Sequence, residues 1–363
     1  MQMGRRLNIV FSSTRQFNCG DEFILFGIIN ILESMKIDFN PIIYNRNPDI
    51  RSGSYIYNRF KTKKETHKLY RGKYWIKSLF DMDFWDNSIK DDSNWEYVDL
   101  VVFAGTPEWY GKRVETLYKN IAKFNIPCIY LGIGVGEPNI SSKLSKLEKE
   151  VLKQSIFISV RDQNAYELLK EYGAIMITCP SILSSKTEKK ISNVNKVGLI
   201  YSSSRVSINN SISKDTEAFE IELYKKLIEK YDCELVCHYI EELDYINEDF
   251  PGVVYNYSYD SSSYFSIYGK FDMVIGCRVH GIGISASLGI PGVAINHSIR
   301  SDTVKNMGAE LIDIKTSDIM EAISIIEKLS NKIVEASKRL KKNKIDTAEV
   351  YRKELRKNLQ HLF

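Results

Sequence analysis

Short apolar runs alternate with longer amphipathic stretches along most of this chain, and few architectures accept that rhythm. Buried strands joined by covering helices do, and the alternation predicts βαβ units around parallel sheets. Residues 7–11 read as a first strand. Residues 21–36 read as a helix with Phe23, Ile24, Phe26, Ile28, Ile29, Ile31 and Leu32 toward the sheet, and 38–44 as the next strand. Residues 46–96 break the pattern. They are polar and aromatic (Arg59, Lys61, Lys63, Lys64, Arg71 and Lys73 around Tyr70, Tyr74 and Trp75) and read as a partly helical insertion. Alternation resumes with strands at 98–104, 127–132, 156–160 and 175–178 and helices at 112–124, 142–154 and 163–172.

The polar stretch 184–195 lacks apolar periodicity and reads as a linker. A second series follows, with strands at 197–201, 234–238, 273–275 and 292–296 and helices at 216–231 and 281–288. From 317 onward Ile319, Ile323, Ile326, Leu329, Ile333 and Leu340 form a helical stripe. The Lys and Arg run at 338, 339, 341, 342 and 344 reads as a solvated face of that tail rather than a membrane-surface patch. The expected architecture is α/β, with two doubly wound, Rossmann-like domains facing each other. Their boundaries fall at 1–185 and 196–316, followed by a C-terminal helical tail over 317–363. There is no internal repeat of fixed period.

The 363 residues suffice for two cores. With 50 basic and 46 acidic side chains the net charge is only +4, too balanced for a nucleic-acid protein. The 22 tyrosines and 16 phenylalanines include rings able to stack on sugars, although most are expected to be ordinary core and surface residues. The apolar run at 7–11 is too short for a signal-peptide core, and no stretch approaches the roughly 20 apolar residues of a spanning helix. The expectation is a cytoplasmic protein with at most peripheral contact at the inner face of the membrane. Cys233 and Cys237 beside His238 resemble half a metal site, but no second pair of matching spacing exists. The six cysteines are expected to be reduced and structural, with no metal.

Ligands of such sheets bind beyond the carboxyl ends of strands, where helices begin. Four polar segments fall at those points. Asn18-Cys19-Gly20-Asp21-Glu22 can be a capped helix start or a ligand turn. Gly132-Ile133-Gly134-Val135-Gly136 is a glycine-rich turn of a kind found in many folds. Arg161-Asp162 closes another strand and can be a plain salt bridge. Arg278-Val279-His280-Gly281 precedes a helix of small residues, and Arg with His at a helix start favours an anion site over a structural histidine.

In order and wording these segments resemble the polysaccharide pyruvyl transferase family over nearly the whole chain. The family's Asn-x-Gly-Asp-Glu turn is matched by Asn18, Gly20, Asp21 and Glu22, and its Gly-x-Gly-x-Gly by Gly132 to Gly136. Its Val-Arg-Asp is matched by Val160, Arg161 and Asp162. Arg278, His280, Gly281, Ala286, Gly289 and Pro291 match its Arg-x-His-Gly block, and Arg300 stands where a lysine is frequent. There are two departures. Gly105-Thr106-Pro107-Glu108-Trp109-Tyr110-Gly111 replaces a glycine-rich turn, and Cys179-Pro180-Ser181 stands where Asp-Pro-Ala is frequent.

The resemblance implies transfer of the enolpyruvyl carbons of phosphoenolpyruvate to two hydroxyls of one sugar, forming a cyclic ketal and releasing phosphate. No cofactor is needed. The partners would be phosphoenolpyruvate and a sugar, glycolipid or polysaccharide acceptor, with self-association left open. The second domain would be the donor side. Arg161, Arg278 and Arg300 would grip the donor's carboxylate and phosphate, because arginine's planar fork binds such groups in two places. His280 would move the proton, and Asp21, Glu108 and His238 would position or deprotonate the acceptor, with Asn18 and Gly134 lining the site. A nucleotide-sugar glycosyltransferase of GT-B type is the main alternative, with Glu241, Glu242 or Asp244 on the donor ribose. A catalytically silent binding protein on the same fold is the second.

Overall fold

The computed structural model describes residues 6–15, 19–46, 94–107, 109, 114–135, 144–206, 212–296, 301–360 and 362. Asn18, Glu108, Arg300 and nearly all of the polar insertion lie outside them.

Two six-stranded sheets, both wholly parallel, carry the fold. The first contains β1 (Leu7–Ser13), β2 (Phe39–Asn45), β3 (Leu100–Ala104), β4 (Cys128–Ile133), β5 (Phe157–Val160) and β6 (Ile175–Met176), in the order β2-β1-β3-β4-β5-β6. Its helices are α1 (Cys19–Ser34), α2 (Glu115–Phe124), α3 (Lys146–Gln154) and α4 (Gln163–Leu169). The second sheet runs β12-β11-β10-β7-β8-β9, built from β7 (Lys196–Ile200), β8 (Asp232–Val236), β9 (Tyr255–Asn256), β10 (Met273–Gly276), β11 (Gly292–Asn296) and β12 (Glu310–Asp313). Its helices are α5 (Lys214–Ile228), α6 (Leu243–Asp249), α7 (Tyr264–Gly269), α8 (Val279–Ser287) and α9 (Ser301–Asn306). Two more, α10 (Ile319–Asn331) and α11 (Ile333–Leu359), end the chain.

Local chemistry explains several boundaries. A reciprocal pair opens α3: Ser145 Oγ accepts from Glu148 N at 3.1 Å, and Glu148 accepts from Ser145 N at 2.6 Å. Asp162, Ser213 and Asp318 cap α4, α5 and α10, each accepting the backbone N–H of the residue three positions on. Helix α2 ends on Asn125 in the left-handed region (φ 50°), a conformation asparagine tolerates better than most residues.

Helix α1 is buried on nearly every side because it packs in both halves. Cys19 and Phe23 belong to the second sheet's core, while Ile24, Leu25, Ile28 and Leu32 belong to the first sheet's. Residues 184–195 form no regular element, but they are strapped down. Lys189 pairs with Asp272 at 2.9 Å and donates to the carbonyls of Lys270 and Phe271.

The tail differs from the sequence expectation. Helix α11 returns to the first half, where Leu340, Ala348, Tyr351, Leu355 and Leu359 complete that sheet's core. Its basic run is therefore only partly a solvated face. Arg339 and Lys342 are exposed, but Lys344 is largely buried and donates to Ser287 O at 2.8 Å. That carbonyl belongs to the last turn of α8, where a cation is favoured. Lys341 donates to Lys189 O at 3.0 Å, clamping the linker.

In the first sheet the chain reverses its winding between β1 and β3, and in the second between β7 and β10. Helix α1 follows β1 and α8 follows β10. Each sheet therefore sends a helix N-terminus from its switch point toward the other half, where such sheets place ligands.

Candidate active site

The first turns of α1 and α8 meet. A Cβ added to Gly20 would lie 2.1 Å from His280 Nδ1 and 2.9 Å from its Cβ, so the imidazole seats there only because Gly20 has no side chain. Replacing Gly20 by alanine should push the ring away from its partners. We expect about a hundredfold loss of turnover, the cost that an ångström's misplacement can carry, together with a lowered melting temperature from the overpacking. A Gly20→Ala protein with normal turnover would show that His280 need not sit where it does.

His280 Nε2 lies 3.0 Å from Arg161 Nη1. A guanidinium can only donate, so Nε2 is the acceptor and the imidazole is neutral, with its proton on Nδ1. Arg161 comes off the end of β5 and is only 8% exposed. Its Nη1 also donates to Cys179 Sγ at 3.6 Å. Among the described residues no carboxylate forms an ion pair with it. Asp162 acts on it through space, but its oxygens accept from Ala165 N at 2.9 Å and Val135 N at 3.1 Å, fixing the start of α4. Gly134 makes room for this arrangement, since a Cβ there would stand 2.4 Å from Arg161 Nε.

Asp21 is held beside the same spot. Its Oδ2 pairs with Arg46 Nη2 at 3.2 Å, and Arg46, only 1% exposed, also donates to Thr106 O at 2.7 Å. The adjacent Glu22 pairs with Arg15 and accepts from Ser261 Oγ at 2.5 Å, tying α1 to the second half.

Arg278 differs from Arg161 in kind. It is equally buried, but its Nη2 donates to Glu242 Oε1 at 2.5 Å and its guanidinium lies 4.9 Å above the Tyr239 ring. Glu242 Oε2 accepts the backbone N–H groups of His238 (2.9 Å) and Tyr239 (3.1 Å). Desolvation lowers the proton affinity of Arg278, and the Glu242 charge more than restores it. His238 is 4% exposed, its Nε2 2.7 Å from Tyr268 OH and its ring edge-on to Tyr264 and Phe23. Burial, reinforced by Arg278, lowers its pKa to about 3, so it stays neutral in the core. Glu220 accepts from Cys277 N at 3.2 Å, and burial lifts its carboxyl to about 8.

The structure thus brings together Arg161, His280, Asp21 and Gly134, and sets Arg278 and His238 behind the start of α8. Asn18, Glu108 and Arg300 are outside the described residues. Sequence reasoning did not find Arg46 or the pairing of Glu242 with Arg278, and it marked Cys179 only as a departure from the family's pattern. The one signal for Glu242 was an acidic cluster just past a strand end. All six cysteines are free thiols, and among the described residues no three His, Cys, Asp or Glu side chains are placed to hold a metal. No helix among them is long and apolar enough to cross a membrane.

The fold defines a GT-B-like class, and the match to known proteins agrees. The chain belongs to the polysaccharide pyruvyl transferase family, whose model matches residues 18–299, and it is by that membership a transferase. No curated protein matches the sequence. Among solved structures it is similar to UDP-GlcNAc 2-epimerase from Neisseria meningitidis bound to UDP-GlcNAc. The TM-score is 0.52 at 14% identity, over 98% of this chain and 100% of that one. It is similar also to S. aureus MnaA in a co-structure with UDP, with a TM-score of 0.52 at 13% identity over 93% and 95%. These likenesses concern the fold.

Proposed function

We propose that the protein transfers the enolpyruvyl group of phosphoenolpyruvate to two hydroxyls of a sugar in a polysaccharide or its precursor, at the meeting point of α1 and α8. The observation that carries this reading is Arg161. Arg161 is buried with no carboxylate in direct contact among the described residues, Asp162 and Asp21 acting on it only through space, so an anionic ligand entering beside it would gain a direct charge-assisted bond. The N-terminal turns of α1 and α8 add the positive ends of two helix dipoles at the same place. A donor bearing both phosphate and carboxylate suits such a site.

His280 then handles the proton. While Arg161 donates to Nε2, that nitrogen cannot be protonated. When donor oxygens take over the guanidinium, Nε2 is released and the donor's negative charge raises its proton affinity. Nε2 delivers a proton to the methylene carbon, and a positive centre develops at the neighbouring carbon. The first sugar hydroxyl attacks that carbon and loses its proton. Phosphate then leaves with its C–O bond pair, and the second hydroxyl closes the ketal and loses its proton in turn. Asp21 accepts a hydroxyl proton in this reading, and its pairing with Arg46 supports that role by holding the carboxylate still.

Phosphate release from phosphoenolpyruvate over a panel of sugar acceptors tests the reading directly. Because the structural neighbours are described with UDP or UDP-GlcNAc bound, a melting comparison separates the glycosyltransferase alternative. At a hundred times its dissociation constant a ligand adds about 2.7 kcal/mol to stability. Phosphoenolpyruvate should raise the melting temperature by a few degrees and UDP should leave it unchanged. Stabilisation by UDP alone would favour a nucleotide-sugar enzyme, for which Glu242 is in any case an unsuitable ribose ligand, being spent on Arg278.

A further inference from the structure

Arg161 and His280 come from different halves, and a contact between them lasts only if both ends are held. The final helix reaches each end. On the His280 side, Ser337 Oγ donates to Gly289 O at 2.7 Å and Lys344 Nζ to Ser287 O at 2.8 Å. Helix α11 thereby grips the end of α8, whose first turn carries His280. On the Arg161 side it supplies the buried hydroxyl of Tyr351. We infer that Tyr351 is a positioning residue of the active site, its hydroxyl joining the three strand ends that seat Arg161 against His280. The inference rests on the pyruvyl-transfer reading only where turnover is measured.

The hydrogen bonds form one directed chain. Gly132 N donates to Ser159 Oγ at 3.0 Å, and Tyr351 Oη lies 3.3 Å from Ser159 Oγ and 3.1 Å from Thr178 O. A carbonyl only accepts, so the single phenolic proton goes to Thr178 O and the Ser159 proton goes to Tyr351. Burial pushes the proton affinity of the phenol up, which keeps that proton in place. Each partner stands one or two residues from a group beside Arg161. Ser159 precedes Arg161 by two, so both side chains leave the same face of the β5 strand end. Gly132 precedes Gly134, where a missing Cβ leaves room for Arg161 Nε, and Thr178 precedes Cys179, whose Sγ lies 3.6 Å from Nη1. The turn after Thr178 packs directly on β4, since a Cβ on Gly132 would stand 2.4 Å from Pro180 Cδ. One oxygen from the tail therefore fixes the stem of Arg161, the space beside it and the sulfur at its tip.

Tyr351→Phe on the full chain keeps the ring and removes that oxygen. Ser159→Ala breaks the chain one link earlier, and Leu359→Ala weakens the same helix about two turns away. Melting temperature verifies folding, and nitrogen-resolved NMR of the ligand-free protein reads the tautomer of His280. In the wild type Nε2 accepts from Arg161 and the proton sits on Nδ1. Tyr351→Phe should bring in the tautomer protonated on Nε2, because Arg161 no longer donates there steadily. It should also lower kcat/KM for phosphoenolpyruvate by about tenfold or more, as a partly displaced reacting group would. Ser159→Ala should act in the same direction and less strongly. Leu359→Ala should lower the melting temperature and leave the tautomer as it is. An unchanged tautomer in folded Tyr351→Phe would overturn the inference, and should that variant not fold, an unchanged tautomer in Ser159→Ala would do so. So would a Leu359→Ala protein whose tautomer shifts as far as that of Tyr351→Phe, since the cause would then be general loosening. The tautomer response in a protein whose wild type never turns over phosphoenolpyruvate would sink the pyruvyl-transfer reading and leave this inference standing.

Discussion

His280→Gln is expected to keep the fold and most of the donor affinity while losing two to four orders of magnitude in turnover, the usual share of general acid–base catalysis. Glutamine is the informative replacement. Its amide oxygen can accept from Arg161 Nη1 where Nε2 now does, so the arginine keeps a neutral partner and only the titratable nitrogen is lost. A histidine that merely helped to begin α8 would behave in the opposite way. Its loss would lower the melting temperature, and the surviving folded molecules would turn over normally. Melting temperature and turnover per folded molecule, measured on one sample, decide between the two.

Arg278→Ala is expected to cost about 3–5 kcal/mol of stability, because it strands the fully buried Glu242 carboxylate without its cation. Pairing it with a second change makes the test specific. In Arg278→Met with Glu242→Gln the charge is gone from both sides, and the amide oxygen still accepts the N–H groups of His238 and Tyr239. Most of the lost stability should therefore return. Urea unfolding of the three proteins reads this out. A single mutant that unfolds at the wild-type midpoint would mean that the pair is not formed. The effect also bears on ligand studies, since weak donor binding by Arg278→Ala has to be measured on the folded fraction before it says anything about direct contact.

The strands bounded by strong apolar runs were legible from the chain, and so was the placing of Asp21, Gly134, Arg161, Arg278 and His280 at strand ends. Burial and turn position are local properties, and the sequence writes them locally. Residues 240–269 were not legible. Helices α6 and α7 are no longer than two turns and β9 is two residues, too short for a period to show against an aromatic background. Partnerships were not legible either. Arg161 meets His280 across 119 residues and Arg278 meets Glu242 across 36, distances over which no spacing rule operates. Lys344 is an instructive case. It falls on the stripe that runs through Leu340, Ala348, Tyr351 and Leu355, so its position was readable as inward. Charge alone had suggested solvent, but a lysine stem can lie buried while its ammonium reaches a carbonyl.

The return of α11 to the first sheet has a consequence for how the molecule is made. A ribosome releases β1 through β6 early, yet the layer formed by Leu340, Ala348, Tyr351, Leu355 and Leu359 emerges about 175 residues after β6. At roughly 5–20 residues per second, that leaves one face of the earlier half uncovered for about ten to thirty-five seconds, while the later half is still being synthesised. The half that starts first is thus the last to be finished. During that interval its bare apolar face is what a nascent-chain chaperone would meet, and a chain cut short anywhere before Ile333 would keep that face exposed for good.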